Sequence, residues 1–235
     1  MIRIHHIKKA YRKALVLDDF SYTFQDGSSY GILGINGAGK STLISCIMNN
    51  LKYSGTIQLE GLSRYEIGYV PQELAIYPEL SVKDNLLFFA TLYKVDKNVA
   101  KERAKELMER VDLKEKENTL AKELSGGMKR KLNLITGLIH QPKLLICDEV
   151  CVGIDLMARK EILESLKTLQ KEGLQILYTS HYLDEVEFLC DKVLFIHEGK
   201  LILEGNTKEL VQEIGGKKDS HLSDVFEKVM REKEE

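Results

Sequence analysis

The chain has 235 residues, long enough for one domain or two closely packed ones with a proper hydrophobic core. Its 34 basic and 36 acidic residues nearly cancel, which gives no electrostatic case for a nucleic-acid partner held by phosphate contacts. The N-terminal residues lack a signal-peptide pattern, and no apolar run approaches the roughly 18 residues needed to span a bilayer. We therefore expect a soluble protein whose membrane role, if it has one, depends on a partner.

The four cysteines are Cys46, Cys147, Cys151 and Cys190. They lie in apolar or helical surroundings and lack the paired spacing of a zinc site or a disulfide framework. We expect buried, reduced thiols in a cytosolic protein.

The first third of the chain predicts a β-rich region that contains one helix. Two alternating stretches are separated by a basic turn that includes Tyr11, and they indicate antiparallel strands. A buried strand and a helix, Thr42 to Met48, follow. The predicted strands are around Ile2 to Ile7, Leu15 to Phe24, Tyr30 to Leu33, Gly55 to Leu59 and Ile67 to Val70.

The middle of the chain predicts helices. Ser81 to Asp84 resembles a capping box that begins a helix extending to about Tyr93. Ala104, Leu107, Met108 and Val111 then have helical spacing, and another helix is expected from Met128 to about His140. We expect residues 74–142 to form a helical subdomain inserted in an α/β core made of residues 1–73 and 143–215.

The last third returns to alternating strands and helices. A buried strand, Leu144 to Cys147, ends at Asp148 and Glu149. Apolar spacing from Leu222 to Met230 predicts a C-terminal helical tail over residues 216–235 that packs on the body, with a partner-binding face as the alternative. The other predicted elements are helices Leu156 to Lys171 and Leu183 to Leu189 and strands Leu174 to Thr179, Val193 to Ile196 and Lys200 to Glu204.

The turn after Leu33 carries the pattern Gly-x-x-x-x-Gly-Lys-Ser between a strand and a helix, the context that a phosphate-binding loop needs. Glycines let the backbone turn tightly and bring its N–H groups to phosphate oxygens, and the helix adds its positive dipole end. We expect Lys40 to reach the β- and γ-phosphates and Ser41 to ligate Mg²⁺. The residues expected to bind the nucleotide here are Asn36, Gly37, Ala38, Gly39, Lys40, Ser41 and Thr42.

Two carboxylates, Asp148 and Glu149, stand at the C-terminal end of a predicted buried strand, where ligands collect in open α/β sheets. Asp148 suits Mg²⁺ and Glu149 suits the orientation and deprotonation of water. An acidic turn that merely ends the strand is the alternative. A phosphate loop about a hundred residues earlier favours the second nucleotide-binding element.

A second candidate anion site is Ser125, Gly126 and Gly127, at the start of a predicted helix. One nucleotide needs only one phosphate loop within a chain. The second turn therefore suggests that it serves the ATP of another molecule.

Together these motifs resemble the ATP-binding cassette (ABC) ATPases, the nucleotide-binding subunits of ABC transporters, over essentially the whole chain. The resemblance implies a P-loop NTPase core sheet with an N-terminal antiparallel β subdomain and an inserted helical subdomain. The matching positions are the adenine-stacking aromatic Tyr11, the Walker A loop Gly34 to Thr42, the Q-loop Gln72, the signature motif Leu124 to Gly127, the Walker B end Asp148 and Glu149, the D-loop Gly153 to Asp155, and the switch His181.

The resemblance implies ATP hydrolysis with Mg²⁺ held by Ser41, Gln72 and Asp148, and with Glu149, Lys40 and His181 as the catalytic residues. It implies two such chains, most simply a homodimer, that enclose ATP between the Walker A loop of one and Ser125 to Gly127 of the other. A separate integral membrane subunit would bind near Gln72 and the aromatic residues between Glu73 and Tyr93. The chain would then lie on the cytoplasmic face of the membrane, in a system for export.

Plainer interpretations stay open for single residues: Tyr11 as an ordinary exposed aromatic, Gln72 as a loop polar group and His181 as a structural histidine. Met128 replaces the common Gln, and Val150 and Cys151 replace the common Pro and Ser or Thr, which removes a fixed φ at the start of the D-loop. A cassette ATPase that acts on ribosomes or DNA, and a subunit that binds ATP without turnover, are the alternative functions. We expect no nucleic-acid partner.

Overall fold

A computed structural model of the chain describes residues 1–12, 14–215 and 219–234, the last three in their backbone only. The chain divides into two compact units, Met1–Leu62 with Gln175–Glu235, and Ser63–Leu174. The expected boundaries of the helical insert, residues 74 and 142, fall inside the second unit, and the insert as a subdomain of its own stays a prediction. The expected tail, residues 216–235, begins outside the described residues.

The first unit contains two sheets. In one, β1 lies between β2 and β4, and both pairings are antiparallel, with Ile2 opposite Phe24 on one side and Leu59 on the other. In the other, β3 lies between β7 and β8 in parallel, and β9 joins β8 in antiparallel orientation. The elements are β1 (Ile2–Tyr11), β2 (Ala14–Phe24), β3 (Tyr30–Leu33), α1 (Lys40–Ile47), β4 (Ser54–Leu59), β7 (Gln175–Thr179), α6 (Leu183–Leu189), β8 (Lys192–His197), β9 (Lys200–Asn206), α7 (Thr207–Gly215) and α8 (Leu222–Glu234).

The residue pattern explains both sheets. In β1 the buried residues Ile2, Ile4 and Ile7 face the core while their neighbours are exposed or half-buried, as expected for a sheet with one wet face. All four residues of β3 are buried, which fits the continuous apolar run of a central parallel strand. The Walker A turn therefore begins from the best-buried strand of the unit.

The second unit combines two parallel strands with four α-helices. Ile67 of β5 lies opposite Leu144 of β6, and α4 packs against α2, α3, α5 and β5. Each helix begins after a residue whose side-chain oxygen accepts a backbone N–H, a cap worth about 1 kcal/mol; these residues are Ser81, Asp96, Ser125 and Asp155. The elements are β5 (Ile67–Val70), α2 (Val82–Leu92), α3 (Lys97–Arg110), α4 (Gly126–Thr136), β6 (Leu144–Asp148) and α5 (Leu156–Lys171).

The bounds of α4 differ from the prediction at both ends. The helix begins at Gly126 instead of Met128 because Ser125 caps it, and it ends at Thr136 instead of about His140. At that end the Gly137 N–H bonds to Leu134 only three residues back, at 3.1 Å. A Cβ at Gly137 would lie 2.9 Å from Val70 Cγ2, so close packing on β5 accompanies the end of the helix.

One helix is missing from the prediction, and two other local predictions need correction. Helix α7 was not predicted, although Asn206 Oδ1 caps it by accepting the Lys208 N–H at 3.0 Å. Tyr11 is the last residue of β1 and pairs with Ala14, because β1 continues beyond its apolar half; it does not lie in the turn. Ser81 forms only half of a capping box, since its hydroxyl donates to the Asp84 carboxylate at 2.7 Å instead of that carboxylate accepting a backbone N–H.

All four cysteines are buried, as predicted, and none of them forms a disulfide within the described residues. Within the described residues, the helices are too short or too polar to cross a lipid bilayer.

Candidate nucleotide-binding site

The Walker A turn joins β3 to α1 in the first unit. Lys40, the first residue of α1, is only 5% exposed, and its Nζ donates to the carbonyl oxygens of Gly34 at 2.8 Å and Ile35 at 3.3 Å. The lysine side chain therefore runs back inside the turn. A buried ammonium group surrounded by carbonyl oxygens suits the recognition of a polyanion such as a triphosphate.

Two glycines of this turn are required by the fold itself. A Cβ at Gly34 would lie 2.3 Å from the carbonyl oxygen of Ile196 in β8, and one at Gly39 would lie 2.8 Å from that of Val16 in β2. Gly39 also has a φ of +106°, which L side chains rarely adopt. The turn is thus pressed between neighbouring strands, with Asn36 and Gly37 exposed and Ala38 buried.

The loop that carries His181 follows β7 in the same unit and is held by hydrogen bonds to the side chains of Ser180 and Glu185. The Ser180 hydroxyl donates to the buried carboxylate of Glu185 at 2.5 Å and accepts the Tyr182 N–H at 3.0 Å, and Tyr178 donates to the same carboxylate at 2.8 Å. These bonds fix the backbone on both sides of His181, which is exposed.

Tyr11 lies at the end of β1 and is 45% exposed. The Lys9 ammonium lies 4.8 Å from the centroid of the Tyr11 ring, within the range of a cation–π contact. The ring is therefore held by a neighbour on its own strand and still presents a surface to solvent.

In the second unit, Asp148 ends the buried strand β6 and Glu149 turns out of it with a φ of +51°. Both carboxylates are almost fully buried, at 5% and 6% exposure. Burial, with a contribution from the Asp148 charge, raises the pKa of Tyr69 on the neighbouring strand β5 to about 12. The two carboxylates lie at the C-terminal end of a buried parallel strand, where ligands collect in open α/β sheets, so this strand end is a functional candidate.

The signature turn in the same unit has a different construction. The Ser125 hydroxyl caps α4 by accepting the Met128 N–H at 3.3 Å, and Ser125 is exposed. A Cβ at Gly126 would meet no atom within 4 Å, and Gly126 does not have a positive φ. Gly127, in contrast, packs against α5, where its Cβ would lie 2.7 Å from that of Ala158.

Gln72 is exposed in the loop 71–81, between β5 and α2. Side chains of α4 hold the backbone of this loop: Arg130 donates to the Gln72 carbonyl and Asn133 donates to the Pro71 carbonyl at 3.3 Å. Sequence reasoning missed Arg130 and Asn133. Their partners are main-chain carbonyls of a loop without periodicity, which leave no pattern in the sequence.

The predicted site residues are thus divided between the two units. The first unit holds Tyr11, the Walker A turn and His181, and the second holds Gln72, Ser125 to Gly127, Asp148 and Glu149. Among the described residues, no group of three or more His, Cys, Asp or Glu side chains could hold a metal ion. A Mg²⁺ that is bound mainly through nucleotide phosphates and one carboxylate does not need such a cluster.

Comparison with known proteins decides the family. The family model described as "ABC transporter" matches residues 17–152. The chain belongs to the ABC transporter family. This ABC ATPase is 42% identical to the linearmycin resistance ATP-binding protein LnrL of Bacillus subtilis (strain 168), an alignment that covers 92% of this chain and 72% of that protein. It is 37% identical to the Nod factor export ATP-binding protein I of Burkholderia lata, over 91% of this chain and 74% of that protein.

Solved structures agree with the fold. Structure comparison gives a TM-score of 0.80 at 29% identity with cbiO1 from Clostridium perfringens, described as part of the ABC transporter complex cbiONQ, over 90% of each chain. An ATP-binding subunit of an ABC transporter gives a TM-score of 0.86 at 24% identity, over 98% of this chain and 99% of that one. The predicted P-loop NTPase fold, ATP binding and ATPase activity are confirmed.

Proposed function

We propose that this ABC ATPase drives export through a separate membrane subunit, and that two copies enclose ATP in a head-to-tail dimer. The observation that carries the dimer is Gly126. Neither a positive φ nor a close contact within the chain requires glycine there, and Ser125 beside it is exposed. A glycine without an internal reason suits a surface that another molecule's phosphate must approach closely.

In this proposal the first unit holds the triphosphate. Lys40 neutralises the β- and γ-phosphates, and backbone N–H groups of Asn36 to Thr42 surround the phosphate oxygens. Tyr11 stacks on the adenine, with its ring held by Lys9. The buried Lys40 and the close packing of Gly34 and Gly39 support this assignment, because they make the turn rigid before ATP arrives.

Mg²⁺ fits the donors that this chain offers, since a serine hydroxyl, a carboxylate and an amide oxygen are all hard oxygen ligands. Ser41, Asp148 and Gln72 would hold it. When bound it would neutralise charge on the phosphate oxygens. The position of Asp148 at the C-terminal end of a buried strand supports the assignment, because ligands collect at this edge of open α/β sheets.

Hydrolysis in this proposal depends on Glu149 and His181. Glu149 accepts a proton from the attacking water and orients it, and His181 contacts the γ-phosphate from the anchored loop after β7. Because the closed dimer contacts γ-phosphate better than the open form, ATP favours closure and hydrolysis reopens the dimer. The family's ATPase activity supports these roles, as does the fixed backbone around His181.

The membrane subunit would bind an aromatic cluster on the second unit, Tyr77, Phe88 and Phe89. The ring centroids of Tyr77 and Phe88 lie 4.5 Å apart, and those of Phe88 and Phe89 lie 5.7 Å apart. The alternative for two adjacent phenylalanines is that at least one belongs to the core, but both are half-buried. Tyr93, at the end of the same aromatic region, stacks on His140, with ring centroids 3.6 Å apart.

The cluster stands on a rigid base. The fully buried Asn85 accepts the Tyr77 N–H at 2.8 Å and donates to the Tyr77 carbonyl at 3.0 Å. Aromatic side chains that stay at least partly exposed on a fixed backbone are typical anchors for a partner segment. Binding there would place this chain on the cytoplasmic face of the membrane.

Export as the direction of transport rests on the relatives, whose names refer to resistance and to Nod factor export. The formal net charge of −2 continues to favour a protein partner over a nucleic acid. The cargo would be recognised by the membrane subunit.

Co-purification from detergent-solubilised membranes tests the partner. The wild-type chain should retain one polytopic membrane protein, and the variants Tyr77→Ala and Phe88→Ala should lose it. Tyr65→Ala is the matched control, because Tyr65 is an aromatic residue of the same unit, 65% exposed, outside the cluster. Equal retention by all four proteins would remove the cluster from this role.

A further inference from the structure

Side chains of helix α4 form hydrogen bonds with the main chain of the Q-loop, which is the loop 71–81 that contains Gln72. Asn133 donates to the Pro71 carbonyl at 3.3 Å and accepts the Ala75 N–H at 2.9 Å, and Arg130, one turn earlier, donates to the carbonyl of Gln72. Residues three apart on a helix share a face, so the two side chains grip the loop side by side. The backbone of the loop on both sides of Gln72 is thereby tied to the helix that begins at the signature turn.

Arg130 also reaches the segment that follows Glu149. Its second terminal nitrogen donates to the Val152 carbonyl at 3.1 Å. Val152 lies between Glu149 and Asp155, and the Val152 N–H bonds to the Glu149 carbonyl at 3.2 Å. One planar guanidinium on the signature helix thus bonds the Q-loop and the segment just before the D-loop through two different nitrogens, whereas a lysine carries all its donors on one nitrogen.

The guanidinium is not an ordinary surface group. Arg130 is half-buried, and this burial lowers its pKa. Taking an arginine partly out of water to bond two carbonyl groups of irregular backbone is favourable only while both bonds are made. The free energy is therefore lowest in the one arrangement of the Q-loop, helix α4 and the segment after Glu149 in which both hydrogen bonds are made.

We propose that Arg130 is a positioning residue for ATP hydrolysis, which keeps Gln72, the signature turn and the segment after Glu149 in one fixed arrangement. The inference rests on the function proposed above for those three segments. Arg130 touches neither nucleotide nor water in this role. It acts by holding the groups that do.

The chain offers a matched arginine whose role is structural only. Arg103 of α3, in the same unit, donates to the Ile139 carbonyl at 3.3 Å and to Gln141 Oε1 at 2.6 Å. It therefore also binds irregular backbone, but at a place without a nucleotide motif. If holding backbone were the whole role of Arg130, the two arginines should behave alike on substitution.

The experiment compares Arg130→Met, Arg130→Lys and Arg103→Met in the full chain. We measure the Tm, the Kd for ATP and the steady-state ATPase constants. For Arg130→Met we expect kcat to fall about 10-fold or more, because a misplacement of about 1 Å can cost as much as 100-fold, while the Kd for ATP changes less than about twofold. Arg130→Lys, which keeps the charge but has all its donors on one nitrogen, should recover part of kcat.

Arg103→Met should lower the Tm and leave kcat within about twofold of wild type. If Arg130→Met keeps a wild-type kcat, or if both methionine variants lose activity in proportion to lost stability, the proposal is wrong. Should Arg130→Met fail to fold, the intermediate kcat of Arg130→Lys at unchanged Kd carries the test. A wild-type kcat for that variant would then overturn the proposal.

A double-mutant cycle with Gln72, together with the Glu149→Gln variant, distinguishes a failure of the Arg130 proposal from a failure of the proposed catalytic site. If Arg130 acts partly through Gln72, then in a Gln72→Ala background Arg130→Met should lower kcat by a clearly smaller factor than in the wild type. Equal factors would show that Arg130 does not act through the Q-loop. Retained turnover in Glu149→Gln would instead contradict the proposed catalytic site, whatever the Arg130 variants do.

Discussion

The Walker A turn and the signature turn both contain glycines, but Gly34 and Gly39 are closely packed whereas Gly126 is not. In the Walker A turn, Gly34 and Gly39 are packed against backbone carbonyls and Lys40 is buried within the turn, so the chain's own fold explains those residues. In the signature turn, Gly126 has open space and a conformation that any residue adopts, and Ser125 is exposed.

The contrast indicates which turn forms a surface for a ligand from outside the chain. Where packing already requires glycine, as at Gly34 and Gly39, the glycine by itself does not indicate such a ligand. Gly126 lacks such a requirement, and alanine or an acidic residue would suit the start of a helix better. We propose that glycine stands there because a phosphate of another chain's ATP approaches it.

The largest effect that we expect concerns the carboxylate that the proposed reaction needs. Glu149→Gln should lower turnover by about 10² to 10⁴, because general base catalysis contributes a factor of that size. The Kd for ATP should stay near the wild-type value. Size-exclusion chromatography with and without ATP should show that the variant accumulates as an ATP-stabilised dimer, whereas unchanged turnover would remove Glu149 from its role.

The next largest effect is expected from a substitution in the signature turn that leaves the fold intact. Gly126→Asp puts a carboxylate in the first turn of α4, where the helix dipole stabilises it by roughly 0.3–1 kcal/mol. Its charge should repel a triphosphate, and we expect turnover to fall about 100-fold, the usual loss when one preorganised contact to the reacting group is removed.

The measurements for Gly126→Asp are the Tm, the Kd for ATP of the monomer and the ATPase rate. Its control is Gly126→Ala, which should keep at least the wild-type Tm and show a smaller loss of turnover. A Gly126→Asp chain with full ATPase activity would mean that the signature turn does not approach a phosphate.

A smaller effect is expected from a substitution in the Walker A turn. Lys40→Ala removes a charged donor from the triphosphate, which at about 1.5–3 kcal/mol corresponds to a loss of about 10- to 100-fold in affinity for ATP. Equilibrium binding of a fluorescent ATP analogue measures it. The two turns are then distinguished directly, since Lys40→Ala weakens ATP binding by a monomer and Gly126→Asp does not. Equal binding by Lys40→Ala and wild type would refute the Walker A assignment.

The smallest effect concerns stability in acid, and it is local to the second unit. Burial lowers the pKa of His140 to about 4, from an ordinary value of 6.5. Between pH 6.5 and pH 4, His140 is therefore mostly protonated in the unfolded chain and mostly neutral in the folded chain. The free energy of unfolding consequently falls as pH falls through this range.

Urea unfolding of wild type and His140→Phe at pH 7, 5.5 and 4.5 checks this dependence. The phenylalanine can stack on Tyr93 as His140 does but cannot titrate, so the variant should lose less stability on acidification. Parallel pH dependences for the two proteins would contradict the assignment.

Much of this fold was predictable from local pattern. Helix α5 has the predicted bounds because its apolar residues Ile162 and Leu166 repeat at helical spacing, and α6 likewise matches its prediction. The short buried strand β3 followed from an uninterrupted apolar run before a glycine turn. In the candidate site, phosphate chemistry restricts the residue types, so the motifs could be located in the sequence, and the roles of their residues stay predictions.

What escaped prediction depends on tertiary contacts. The end of α4 is accompanied by packing of Gly137 on β5, and the Q-loop is held by Arg130 and Asn133 through bonds to backbone carbonyls. Neither kind of contact requires a particular residue type on the partner side, so the partner's sequence carries no trace of it. Helix α7 is different, since the Asn206 cap was a readable signal that was overlooked.

We claim that Ser125 and Gly126 complete the ATP site of another copy, and mixing two inactive variants measures this directly. Lys40→Ala and Gly126→Asp chains, each with little ATPase activity alone, are combined in equal amounts and allowed to exchange subunits. Because half of the dimers are then mixed and each mixed dimer has one intact site, we expect recovery of about a quarter of wild-type activity. A mixture no more active than either variant alone would contradict the claim, because it would mean that both turns serve the same chain's ATP.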